Sequence, residues 1–167
     1  MSSEQNSVMK SHYWLKFVNT FGFTGLSPVM PGTVGTLASA PFAWLIHTYL
    51  PIEYAAGLVF VVILLSIAAS HIYVEVFQSD DPSEVVIDEV CGYFVATLAL
   101  PPNLTLYALA FVIFRILDIV KPPPISYIDQ KMRGGLGVVM DDVLAGLITH
   151  ALLRAAIAGG YLGSIGI

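Results

Sequence analysis

Residues 84–92 read Glu84-Val85-Val86-Ile87-Asp88-Glu89-Val90-Cys91-Gly92. Two adjacent carboxylates stand at the entrance to an uncharged run, because no charged residue follows Glu89 until Arg115. Carboxylates are costly to bring near hydrocarbon, so the pair requires compensation. What else the chain brings to that entrance decides both its fold and its chemistry.

The composition names the solvent. The 167 residues suffice for one domain of ordinary size. They are 56% hydrophobic and only 11% charged, and mean hydropathy is +0.79. A soluble domain carries about 25% charged residues, so the main solvent is expected to be a bilayer. A net charge of −5 with no basic cluster argues against a nucleic-acid partner. Cys91, the only cysteine, rules out an intrachain disulfide and reads as a small buried residue. The polar stretch Met1 to Ser7 is followed by no compact apolar core with a cleavage site. No signal peptide is expected, and membrane segments should persist in the mature chain.

Working outward from 84–92, Asp81-Pro82-Ser83-Glu84 reads as a capping box, with Asp81 at the N-cap and Pro82 at the first helical position. That accounts for Asp81 and Glu84. It leaves Asp88 and Glu89 a turn or more further in, with Glu84 and Asp88 spaced to share a helix face. Upstream, Tyr54–Val74 is an uncharged stretch of transmembrane length, with His71 near its interfacial end. Before it, Pro31-Gly32-Thr33-Val34-Gly35-Thr36 leads into an apolar helix, Leu37–Leu50. Thr33 or Thr36 is expected to cap that helix, though free N–H groups at such a start can also hold an anion. Residues 8–18 mix aromatics with Lys10 and Lys16, as an interfacial helix or an ordinary surface helix would.

Downstream, Val90–Leu100 and Leu104–Phe114 are apolar arms joined by Pro101-Pro102-Asn103. As helix each arm is about 16 Å long, too short to cross a bilayer unaided. Either flanking residues lengthen them, or they form a shallow hairpin buried against other helices. In both cases Arg115, Asp118 and Lys121 return beside Asp88 and Glu89. Pro122-Pro123-Pro124 ends that helix. A loop over 125–140, with a flexible Gly134-Gly135-Leu136-Gly137 turn, precedes Asp141-Asp142 in the first turn of a last apolar helix to about Ala158.

Spans near 37–50, 54–74, 88–100, 104–120 and 142–158 place the basic segments on one side, which is expected to be the cytoplasm. The expected fold is therefore all-α and multi-pass, with about four or five hydrophobic helices. Residues 1–18 form a tail with an interfacial helix, 19–160 a single domain and 161–167 a C-terminal tail. Asp88/Glu89, Arg115/Asp118/Lys121 and Asp141/Asp142 then meet at the cytoplasmic face. Five carboxylates together repel one another unless a cation sits among them, and oxygen-only ligands select a hard cation such as Mg²⁺. Arg115 and Lys121 offer a fork and a point charge to a phosphate. Phosphoryl chemistry on a lipid headgroup fits this set; a structural salt-bridge network is the alternative.

The motifs also resemble a known family. Leu26-Ser27-Pro28 with Pro31–Leu37, Val86-Ile87-Asp88-Glu89 with Gly92, Phe114–Pro122 with Pro124-Ile125, and Gly134–Asp142 with Ala145-Gly146 occur in the order and spacing of phosphatidylglycerophosphatase A. The resemblance implies an all-helical bacterial inner-membrane enzyme. It implies Mg²⁺-dependent hydrolysis of phosphatidylglycerophosphate to phosphatidylglycerol and phosphate, on the cytoplasmic side. Asp88, Glu89, Asp118, Asp141 and Asp142 would supply the metal ligands and the general base. Arg115 and Lys121 would stabilise phosphoryl charge, and Thr33 and Thr36 would contact the headgroup. A small transporter or channel and a non-catalytic membrane scaffold are the competing classes.

Overall fold

Prolines divide the apolar sequence into helices. The computed structural model describes residues 13–78 and 82–162. Its α-helices are α1 (Pro31–Tyr49), α2 (Ile52–Phe77), α3 (Ile87–Thr97), α4 (Leu104–Val120), α5 (Ile125–Lys131) and α6 (Gly134–Ala158), with a 3-10 turn at Thr24–Leu26. Residues 13–19 are also helical, with Tyr13, Trp14 and Phe17 exposed; residues 8–12 of the expected interfacial helix lie outside the described residues. No strand occurs among the described residues. Asn103 starts α4 by accepting hydrogen bonds from the backbone N–H groups of Thr105 (2.9 Å) and Leu106 (3.2 Å). It thereby satisfies two of the helix's orphan donors.

Everything is arranged around α3. Nine of its eleven residues are buried, and it packs against α1, α2, α4 and α6, most extensively against α6. The first arm of the 90–114 hairpin is thus a short helix buried against other helices, while the second extends into flanking sequence as far as Val120. Cys91 is fully buried there, with its thiol 3.1 Å from the Ser66 hydroxyl. Two helices, α2 with 26 residues and α6 with 25, are long and apolar enough to cross a membrane. In α2 only 22% of the most apolar window is buried, against 50% for α6, so α2 turns most of its hydrocarbon outward. Two of the five expected spans thus meet that measure of length and hydropathy. α4 has 17 residues, about 26 Å, and α1 has Pro41 in its interior.

Helix starts differ from expectation in three places. α1 begins at Pro31, with Met30 as a left-handed N-cap that makes no side-chain cap bond. Thr33 and Thr36 therefore lie inside the helix and do not cap it. α6 begins at Gly134, so Asp141 and Asp142 sit in its third turn and not its first. The glycines taken for a flexible turn are contact residues: a Cβ on Gly135 would overlap the backbone of Ile67 and His71 on α2. Finally, α3 begins at Ile87 with no side-chain cap. Asp81 lies outside the described residues, and Glu84 is in a turn closed by the Val85 N–H to Pro82 O bond of 2.9 Å. The capping box is thus not formed, and Glu84 and Asp88 share no helix face.

Glu84 instead anchors the N-terminal segment. Its carboxylate accepts the hydroxyl of the buried Tyr73 and lies 3.5 Å from Lys16. Beside it, the buried Asn19 side chain donates to the carbonyls of Leu15 (2.9 Å) and Ala69 (3.2 Å), and accepts from Ser70 at 3.2 Å. The Asn19 carbonyl takes the Val86 N–H at 2.8 Å. These bonds tie residues 13–26, α2 and the approach to α3 into one unit, which fixes where Asp88 and Glu89 emerge.

Candidate active site

At the end of the bundle where α1 and α3 begin and α4 ends lies a cavity of about 620 Å³. Eight of the nine residues expected at the site line it: Thr33, Asp88, Glu89, Arg115, Asp118, Lys121, Asp141 and Asp142. Thr36 does not. It is fully buried, and its hydroxyl donates to the Gly32 carbonyl at 2.7 Å. The hydroxyl serves the backbone one turn back, a common use of threonine inside helices, and is withdrawn from any ligand.

The side chains fall into two linked groups. On α3, the Glu89 N–H donates to Asp88 Oδ1 at 3.0 Å, which turns the Asp88 carboxylate across the helix start. Asp142 on α6 faces it: Asp88, Glu89 and Asp142 each place a carboxylate oxygen within 4.8 Å of the others. Arg115 on α4 binds Asp118 Oδ2 at 2.6 Å and Glu89 Oε1 at 3.4 Å. The second group centres on Lys121, which holds a left-handed φ of 45° just past α4. Its Nζ lies 2.5 Å from Asp129 Oδ1 and 2.7 Å from Asp141 Oδ2. Burial opposes the ammonium charge, but these two acceptors outweigh it and hold the Lys121 pKa above its usual value. Adjacent on the helix, Asp141 and Asp142 point about 100° apart, one to Lys121 and the other to Asp88 and Glu89.

The unsatisfied atoms show what the cavity lacks. Thr33 Oγ1, Glu89 Oε2, Arg115 Nε and Asp141 Oδ1 are buried with no hydrogen-bond partner among the described residues. Buried polar atoms are normally paired, so four such atoms in one cavity call for a polar or charged occupant. Three converging carboxylates with an all-oxygen donor set fit a hard divalent cation such as Mg²⁺. Asp88, Glu89 and Asp142 are the residues that could hold it, and Asp118 and Asp141 line the same cavity.

Asp129 and Gly32 were not among the expected site residues. Asp129 carried no signal beyond being one charge in a presumed loop. Gly32 was visible as part of the Pro31–Leu37 motif but with no role of its own, yet a Cβ there would overlap Glu89 Oε1 and stand 3.0 Å from Arg115 Nη1. Gly32→Ala is therefore expected to displace the Glu89 carboxylate and cost about 100-fold in kcat/KM, with the protein still folded. Steady-state kinetics beside a thermal melt would check this; unchanged kinetics would mean that the Glu89 position is immaterial.

A helical, lipid-compatible scaffold thus carries one acid-lined, cation-competent cavity. Residues 17–157 match the family described as Phosphatidylglycerophosphatase A. The chain is 38% identical over 144 residues to phosphatidylglycerophosphatase A of Escherichia coli strain K12, covering 86% of this chain and 83% of that one. It is 32% identical over 125 residues to phosphatidylglycerophosphatase A of Haemophilus influenzae, covering 74% and 77%. A Bacteroides thetaiotaomicron protein, provisionally named as a phosphatidylinositol-3-phosphatase, is 36% identical over 156 residues, covering 89% and 97%. No solved structure matches the chain. The chain belongs to the phosphatidylglycerophosphatase A family.

Proposed function

We propose that this protein is a membrane-embedded, Mg²⁺-dependent lipid phosphatase. It hydrolyses phosphatidylglycerophosphate to phosphatidylglycerol and inorganic phosphate, in the synthesis of that phospholipid. The observation that carries the reading is the junction of α1, α3, α4 and α6, where carboxylates, Arg115 and Lys121 line one cavity at the end of an apolar bundle. Two relatives named phosphatidylglycerophosphatase A supply the substrate. Phosphomonoester hydrolysis is among the slowest of uncatalysed reactions, so its catalyst needs charge stabilisation and a positioned water. When bound, Mg²⁺ neutralises phosphoryl oxygens and lowers the pKa of water.

The chain's own residues do the remainder. Asp88, Glu89 and Asp142 hold the cation, and a carboxylate of the Asp118 and Asp141 set takes the proton of the attacking water. Arg115 and Lys121, each held at a fixed angle by two carboxylates, stabilise charge on the phosphoryl group. The Thr33 hydroxyl turns to a phosphate oxygen. The P–O bond to the headgroup glycerol breaks, the leaving oxygen takes a proton from water or from the carboxylic acid formed, and phosphatidylglycerol stays in the bilayer. Lys16, Lys121, Lys131 and Arg133 gather at the site end of the bundle, which supports a cytoplasmic orientation in a bacterial inner membrane. A cation path through the bundle finds less support, since the central α3 is packed with apolar side chains beyond its acidic start.

The test is phosphate release by purified protein in mixed micelles. Turnover of phosphatidylglycerophosphate should vanish with a chelator and return with Mg²⁺. No release by well-folded protein would overturn the assignment. The name of the Bacteroides relative makes phosphatidylinositol 3-phosphate the second substrate to assay. Faster turnover of that lipid would move the substrate while leaving the chemistry in place.

A further inference from the structure

Three cations line the cavity, and their situations differ. Arg115 and Lys121 are each bound to two carboxylates. Arg133 is exposed at the cavity's edge and has no acidic partner among the described residues. Its backbone is nonetheless firmly placed. It is the N-cap of α6, and the next two residues pack against α2, where a Cβ on Gly134 would stand 3.1 Å from His71 Nδ1 and one on Gly135 would overlap backbone. Ser83 and Gln130, two further polar side chains at this edge, are also exposed. Exposed polar side chains thus line this edge, with Asp129, next to Gln130, engaged by Lys121.

The cavity is also larger than the reaction requires. A phosphate group fills roughly 100 Å³, judged against about 30 Å³ per water, and the cavity holds about 620 Å³. The remaining space suits the rest of a headgroup. In the lipid proposed above, the scissile phosphomonoester is joined through glycerol to a phosphodiester, the second anion of the same molecule. With the monoester among Arg115, Lys121 and the cation ligands, the diester must lie nearer the rim. We propose that Arg133 forms a second anion subsite, binding the phosphodiester that links the headgroup to diacylglycerol. It thereby selects lipids whose headgroup polyol carries the scissile phosphate over lipids, such as phosphatidate, whose only phosphate is the scissile one. Its planar fork matches the two non-bridging oxygens of a diester, and an unpaired arginine is free to make that match.

This inference rests on the proposed lipid phosphatase activity, and one experiment separates the two. Full-length wild type, Arg133→Ala and Arg133→Lys are assayed with Mg²⁺ on phosphatidylglycerophosphate and on phosphatidate of the same acyl chains, in neutral detergent micelles. The diester is held alike in ground and transition states, so its loss raises KM more than it lowers kcat. Arg133→Ala should raise KM for phosphatidylglycerophosphate about tenfold to a hundredfold. It should also lower the preference for that lipid over phosphatidate by a similar factor, with Arg133→Lys between. An unchanged KM, or an equal loss on both lipids, overturns the subsite while leaving the phosphatase assignment standing. Absence of phosphatidylglycerophosphate turnover by wild type overturns both. Should Arg133→Ala fold poorly, Arg133→Lys and Arg133→Gln carry the comparison on the same two readouts.

Discussion

Asp142→Asn and Asp88→Asn are each expected to lower kcat about a thousandfold, the scale of losing a preorganised electrostatic group at a reacting centre, without unfolding the protein. The expectation comes from the packing of the acids. Asp142 is 3% exposed, and its carboxyl group interacts with those of Asp118, Asp88 and Glu89. Like charges so close destabilise the fold unless a cation binds among them. Replacing one acid by its neutral isostere keeps the shape and removes repulsion, so thermal stability without metal should hold or rise as activity falls. Sites that oppose stability in this way are where function and stability trade against each other.

Metal binding supplies a readout independent of turnover. A ligand that binds only the folded state stabilises it by about 2.7 kcal/mol at a hundred times its Kd. The melting temperature of wild type should therefore rise with Mg²⁺, and that of Asp142→Asn should respond far less. Asp141→Asn provides the contrast. Its carboxylate is engaged by Lys121, which keeps Asp129 as a second partner, so the Mg²⁺ response there should be largely kept, whatever turnover is lost with a candidate base. Equal Mg²⁺ responses at 141 and 142 would show that the division into a metal group and a lysine group is wrong.

Charge patterning carried most of the site into view. A carboxylate in an apolar sequence is expensive wherever it falls, so Asp88, Glu89, Asp118, Asp141 and Asp142 are conspicuous without coordinates, and short arms between them force their convergence. The helix starts were not legible, because they depend on partners distant in sequence. Gly134 to Gly137 read as a loop on intrinsic propensity, where glycine costs about 1 kcal/mol against alanine. What places them in α6 is close approach to α2 at Ile67 and His71. Glu84 matched a local capping pattern, yet its partners are Tyr73 and Lys16. Thr36 and Thr33 looked alike in sequence; Thr36 lies nearly a turn further along the helix, about 4.5 Å, which takes it out of the cavity and into the core. Arg133 was visible only as one more positive charge for topology, since nothing local reveals that it lacks a partner.

Gly146→Val should abolish the folded state, and Gly146→Ala should lower stability by about 1–3 kcal/mol, the usual cost of overpacking, and activity with it. Alanine in place of a helical glycine would ordinarily gain close to 1 kcal/mol, so the sign of the change is itself the test. At this position α6 crosses α3 with no room for a side chain. A Cβ on Gly146 would overlap the Gly92 carbonyl oxygen and stand 3.0 Å from its carbon and 3.2 Å from Gly92 Cα. The opposing Gly92 is as confined, since a Cβ there would meet the Phe114 ring at 2.5 Å and the Asp142 carbonyl oxygen at 2.6 Å. Small residues at such a crossing let the backbones of membrane helices touch. Backbone cannot swing aside as a side-chain tip can, so a new methyl must push the two helices apart. The crossing lies one turn from Asp142 on α6 and one turn from Asp88 and Glu89 on α3, so widening it widens the carboxylate cluster directly. Gly57→Ala on α2 is the control: a Cβ there meets nothing within 4 Å, and the change should be neutral or slightly stabilising. Thermal unfolding in detergent, with phosphate release measured on the same samples, compares the three. A Gly146→Ala protein as stable and as active as Gly57→Ala would mean that the α3–α6 crossing does not set the geometry of the site.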